Sequence, residues 1–155
     1  MPNQTNLWVQ RIRTDLRRGG SAEHAKGVQW FFKEEVRSHG WYTADLRRFA
    51  REASREIQAT DGLATLLHVA DRLFTGEVLE EKKFAVLLLE KSVAKFGERE
   101  FMLFASWLDR VTTWADHDAL VQYLIGPLLT RSAPTARCAG PSRETAGAGA
   151  RRPFR

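Results

Sequence analysis

Phe101–Leu129 reads FMLFASWLDRVTTWADHDALVQYLIGPLL, and its apolar residues recur every three or four positions rather than alternating. Phe101, Phe104, Ala105, Leu108 and Val111 make one helical stripe, and a second helix begins after Thr112-Thr113. That second helix carries Trp114 and Asp118, four residues apart, a spacing that stacks two side chains on one face. Opening onto a groove, an indole face and a carboxylate could embrace a cation. The spacing alone fits better a core-anchoring tryptophan followed by a carboxylate favoured by the helix dipole.

Working outward, the rest of the chain repeats the helical period. Leu7, Trp8, Arg11, Ile12 and Leu16 define a first helix that stops at Gly19-Gly20. Ser21 reads as an N-cap for a second, running through Ala25, Val28, Phe31, Phe32 and Val36 to Gly40. Thr43 is expected to cap a third, with Leu46, Phe49, Ala50, Ala53 and Ile57 inside and Arg47, Arg48, Arg51 and Arg55 outside. A fourth follows Asp61-Gly62, and the fifth, from about Val78 to Phe96, is apolar around most of its circumference and so belongs at the centre of the core. No useful stretch alternates with period two, and the fold class is all-α. About seven amphipathic helices joined by short turns suit either a closed bundle or an array of helix pairs with a concave face.

Only one cysteine, Cys138, is present, which excludes an internal disulfide framework and a thiolate zinc cluster. No apolar run approaches the roughly 18 residues of a membrane span, and the N-terminus lacks an export signal, so a cytoplasmic protein is expected. The formal charge of +5 is carried by residues 131–155, with six arginines against Glu144 alone. Residues 1–130 balance 18 basic against 18 acidic side chains, the basic excess lying in the first sixty positions. Those sixty could offer a basic surface to phosphates. Beyond Thr130 helical periodicity stops, and residues 131–155, rich in Arg, Gly, Ala and Pro, are expected to be a disordered tail after a helical domain at 1–130.

A glycine-rich phosphate loop, a His-Glu-x-x-His zinc motif and a nucleophile elbow are all missing. His117 between Asp116 and Asp118 does not make a metal site, because adjacent residues on a helix point about 100° apart. Glu80-Glu81 reads as a helix start favoured by the dipole.

Three stretches, in register over roughly residues 20–130, resemble the AlkD-like DNA alkylation repair family: FFKEEVRSHGWYTADLRR (Phe31–Arg48), EEKKFAVLLLEK (Glu80–Lys91) and TTWADHDALVQYLIG (Thr112–Gly126). That family consists of bacterial DNA glycosylases built from HEAT-like helical repeats. The resemblance implies a HEAT-like array that is incomplete relative to the family, because the tail stands where further helices and a DNA-holding arginine would follow. It also implies that Asp118 is the catalytic carboxylate and Trp114 the lesion-facing tryptophan. Phe31 falls on an aromatic position near the damaged nucleotide, and Lys33 and Arg47 on basic positions facing DNA. The implied partner is duplex DNA containing alkylated purines, acted on in the bacterial nucleoid, with no cofactor, no metal, no membrane and no obligate protein partner.

The chemistry fits this pair of residues. A purine alkylated at N3 or N7 is a cation and already a good leaving group, so the demanding species is the oxocarbenium-like sugar. A carboxylate near C1′ stabilises that charge and can orient water, while an indole face attracts the cationic base. The alternative from another class is a helical scaffold that binds DNA or protein without turnover.

Overall fold

Asn3 opens the first helix by accepting the Asn6 amide on its side chain at 2.8 Å, and α1 (Gln4–Gly19) buries Trp8, Val9, Ile12 and Leu16 along one stripe. A computed structural model describes residues 3–132 of the chain. The expected tail, 131–155, lies outside that range except for its first two positions, which complete the last helix.

Helix α2 (Ala22–Gln29) is capped by Ser21, whose hydroxyl accepts from the His24 amide at 3.2 Å. It ends at Gln29 rather than Gly40. The spacing of Phe31, Phe32 and Val36 imitates a continuing helix, but the Gln29 side chain takes over the backbone groups that a helix would have paired. Its Nε2 donates to the Glu34 carbonyl at 2.8 Å and its Oε1 accepts from the Val36 amide at 2.8 Å. Residues 30–42 therefore form a structured connection instead of a third helical turn.

Helix α3 (Thr43–Leu73) begins one residue earlier than a Thr43 cap implies, with Tyr42 at the cap position and no side-chain cap bond. The break expected at Asp61-Gly62 is present inside it: Gly62 adopts φ 90° and ψ 172°, a left-handed conformation that favours glycine. Helix α4 (Leu79–Leu89) packs against α3 and buries Phe84 through Leu89 without interruption, the pattern of a helix surrounded by protein. It tightens into a 3₁₀ segment, Glu90–Lys95, before α5 (Glu98–Trp107). A short 3₁₀ turn leads to α6 (Trp114–Leu120), a π-helical stretch (Val121–Ile125) and α7 (Gly126–Ser132). Among the described residues there is no strand, only an isolated parallel bridge between Arg37 and Val78, and the fold is all-α. None of the described helices is long and apolar enough to cross a membrane.

Two ionisable side chains on α4 hold the irregular segments to this helical framework. Glu80, 3% exposed, accepts from the Ser38 hydroxyl (2.7 Å) and from the amides of His39 (2.7 Å), Gly40 (3.2 Å) and Trp41 (3.2 Å). Gly40 has φ 77°, and a Cβ there would lie 1.9 Å from the Ser21 carbonyl oxygen, so only glycine fits. Lys82, equally buried, donates to the Phe74 carbonyl at 2.8 Å and the Arg110 carbonyl at 2.7 Å, tying the ends of two helical segments together. Its ammonium also lies 4.6 Å from the centre of the Phe74 ring, which stacks on Trp107.

Glu80→Ala leaves several buried donors unpaired and is expected to cost about 3 kcal/mol or more. For a chain of this size that lowers Tm by roughly 6 to 12 °C. Glu80→Gln keeps one acceptor oxygen and should lose much less; equal melting temperatures for wild type and Glu80→Ala would show that other contacts hold the connection. Burial, the largest influence, pushes the Lys82 ammonium below its ordinary value against the raising pull of Asp116. The unfolded chain then holds this proton at pH values where the folded chain has begun to release it. Stability should rise with pH towards the ordinary lysine value of about 10.4, with the penalty fully present below the lowered folded value. Urea unfolding at several alkaline pH values should show this rise in wild type and its loss in Lys82→Met; parallel curves would contradict it.

Candidate functional site

The N-terminus of α6 explains why two aspartates two residues apart have different surroundings. Thr113 accepts the Asp116 amide at 3.2 Å, and Asp116 Oδ2 accepts in return from the amides of Thr112 (3.2 Å) and Thr113 (3.3 Å) and from the Thr112 hydroxyl (3.0 Å). This reciprocal capping uses Asp116, which is 1% exposed, and leaves Asp118 without a capping role. Two positions along a helix are about 200° apart, so Asp118 lies on the opposite side from Asp116, where its side chain is 67% exposed. Beside it is His117, whose Nδ1 is 3.5 Å from Asp118 Oδ1.

Trp114 is likewise not a core anchor. It is 57% exposed and stacks on Phe32 with ring centres 5.3 Å apart and planes 23° from parallel. Trp114 and Asp118 line one groove of about 280 Å³, together with Phe31 and Phe32 from the 30–42 connection and Lys83 from α4. The indole and the carboxylate therefore share a surface, at the seam between α6 and the segment that Glu80 holds in place.

The other expected residues are placed unevenly. Phe31 lines the groove and is 69% exposed. Lys33 is exposed but is not among the groove's lining residues. Arg47 lies behind the groove wall: it pairs with Glu90 at 2.9 Å, donates to the Tyr123 hydroxyl at 3.3 Å and has its guanidinium carbon 5.4 Å from the centre of the Tyr123 ring. Its pKa is raised, chiefly by the hydrogen bond to Tyr123 and also by the nearby Glu90 carboxylate, with burial opposing. Tyr123 itself lines the groove, so Arg47 reaches it through the tyrosine.

Tyr123 occupies the π-helical stretch, which helical spacing alone does not distinguish from an ordinary α-helix. The cause is local. Pro127 cannot donate to the carbonyl four residues back, and its ring would crowd that turn. The wider turn before it accommodates the proline, with the Gly126 amide donating to the Val121 carbonyl five residues back. A Cβ on Gly126 would lie 2.8 Å from that oxygen. The Gly126-Pro127 dipeptide was the available signal, and it marks a change of pitch rather than an end.

Lys83 is the other residue that sequence reasoning missed. It is half-buried in the groove and makes no ion pair among the described residues. The helical i, i+3 relation to Glu80 places it one turn further along the same side of α4. On the far side of α6 a larger recess of about 610 Å³ is lined by Lys82, Arg110 and Asp116. The first two are committed to the framework, and Asp116 to capping, its Oδ1 having no partner. No group of His, Cys, Asp and Glu suited to a metal occurs among the described residues.

Residues 12–139 match the family described as DNA alkylation repair enzyme, whose substrate is DNA. No curated protein and no solved structure matches the chain. With that match covering well over half of its length, and the groove lying inside the matched span, the chain belongs to the DNA alkylation repair enzyme family.

Proposed function

We propose that the protein is a DNA glycosylase that removes cationic alkylated purines, of the 3-methyladenine and 7-methylguanine type, from duplex DNA by hydrolysing the N-glycosidic bond. The observation that carries this reading is the shared groove of Trp114 and Asp118, with the carboxylate freed from capping by Asp116. The helices are read as a HEAT-like repeat array whose groove faces the duplex.

In this mechanism the lesion's nucleotide sits against Trp114, whose π face attracts the positive base, an effect worth about 0.5 to 2 kcal/mol. Asp118 faces C1′. As the bond to the base lengthens, electrons leave with the purine and its ring charge is neutralised, while positive charge grows on the sugar. The Asp118 carboxylate stabilises that charge and accepts a proton from the water that attacks C1′. No group in the groove is needed to protonate the leaving base, so neutral adenine and guanine should be left alone. An exposed carboxylate is weakened by water, and docking of the duplex over the groove would strengthen it by excluding solvent.

Phe31 and Lys33 complete the DNA-facing set, with Arg47 supporting it from behind. Phe31 contributes an apolar wall, Lys33 a phosphate contact at the rim, and Arg47 acts by fixing Tyr123. Lys83 adds positive potential within the groove for the phosphate beside the lesion.

Release of alkylated bases from methylated duplex, read by chromatography under single-turnover conditions, tests the assignment. Asp118→Asn should slow release by about 100- to 1,000-fold, with little change in duplex binding; an unchanged rate would remove Asp118 from the chemistry. Trp114→Ala should lower the rate roughly 2- to 30-fold for cationic lesions, and Trp114→Phe by less. Base release from no substrate, together with salt-sensitive duplex binding, would favour a non-catalytic scaffold.

A further inference from the structure

Trp30 is 85% exposed, and its neighbour Phe31 is 69% exposed. Large aromatic rings in water are unfavourable when left in a group, and a cluster of them marks a contact surface. These two are also held still. The amides of Trp30, Phe31 and Phe32 donate to the carbonyls of Gly27, Val28 and Gln29 at 3.2, 3.0 and 3.0 Å, and the Gln29 side chain bonds the chain beyond them. Further along, the Glu80 carboxylate fixes residues 38–41 from α4. The rings therefore project from a segment anchored at both ends.

Their mutual geometry is informative. The Trp30 and Phe31 rings meet edge to face, with centres 6.2 Å apart and planes at 78°. Two rings at nearly a right angle cannot both lie flat on the same base; they form a corner. Phe31 lines the groove together with the stacked pair of Phe32 and Trp114, and its ring meets Trp30, which is not among the groove's lining residues. Exposed Lys26 and Lys33 stand four residues before and three after Trp30, within reach of a backbone that this surface would meet. Glu34 and Glu35 line the other recess, beyond the connection.

We propose that Trp30, with Phe31, is a stacking wedge that takes hold of a poorly stacked DNA base next to the lesion while the groove engages the damaged nucleotide. This inference rests on the reading of the groove as a DNA-facing site, not on turnover. Stacking on an aromatic face tolerates any base and is easiest where the duplex is already weakened, by a damaged, mismatched or missing base. The wedge accordingly gives the protein a preference for weak points in a duplex, separate from the preference for a cationic base that Trp114 and Asp118 provide.

The test uses the full chain and two short duplexes of the same sequence, one intact and one carrying a tetrahydrofuran abasic analogue, which cannot be cleaved by a glycosylase. A 2-aminopurine placed beside the analogue reports stacking. Wild type should bind the analogue duplex more tightly than the intact one and quench the 2-aminopurine. Trp30→Ala, at an exposed position that the core does not use, should lose roughly tenfold in affinity for the analogue duplex. It should also lose most of the quenching, while the dependence of binding on salt stays as in wild type. Trp30→Phe should retain most of both. Equal binding and quenching by wild type and Trp30→Ala would overturn the wedge, as would concentration-dependent self-association that Trp30→Ala abolishes without affecting DNA. Asp118→Asn should keep the duplex preference; a preserved preference with no base release by wild type would defeat the glycosylase reading and leave the wedge standing.

Discussion

A single buried carboxylate, Glu80, is the constraint on which the groove depends. It begins α4, the helix most deeply enclosed by protein, and collects a hydroxyl and three backbone amides from residues 38–41. A charged acceptor in a nearly dry site forms strong hydrogen bonds, and without it several polar groups would be stranded. Because its donors all belong to one stretch, a helix at the centre of the core dictates where an irregular surface segment runs. Phe31 and Phe32 lie earlier in the same 30–42 connection, where their amides donate to the Val28 and Gln29 carbonyls, so the connection that carries them is held at one end from α2 and at the other from the interior.

Division of labour on α6 has an equally simple origin. Capping needs one carboxylate in the first turn, and Asp116 fills that place with its side chain turned inward to Thr112 and Thr113. Asp118, two residues further on, is carried to the other side and left without structural duty. A carboxylate released in this way is available to a substrate, and this availability supports the proposed catalytic role. The pitch change forced by Pro127 continues the same surface by bringing Tyr123 to the groove, where Arg47 and Glu90 brace it from behind.

The groove's charge is mixed. Asp118 and Lys83 face it, Arg47 is neutralised by Glu90, and the basic excess of the first sixty residues is partly consumed by pairs with later residues such as Arg13–Glu81 and Arg37–Glu77. Strong general attraction to nucleic acid is not the character of this surface. Aromatic faces are its more prominent feature, and they suit recognition of disturbed bases more than tracking of phosphates.

Sequence by itself determined the helical class, the near-complete enclosure of Phe84–Leu89, the break at Gly62 and the one-faced relation of Trp114 to Asp118, since each follows from local periodicity or backbone freedom. Register with the family pattern also pointed to the family that the chain belongs to. Tertiary structure decided the rest. Phe31, Phe32 and Val36 keep helical spacing yet lie outside any helix, because Gln29 and Glu80 offer their neighbours better partners than the next turn would. Arg47 looked like a free surface cation on an arginine-rich face; it is bound because Glu90 and Tyr123, 43 and 76 residues away, come within reach only when the chain has folded. Periodicity reports which face of an element is apolar, whereas the partner of a polar group is set by long-range packing, and in this protein the groove is built from such partners.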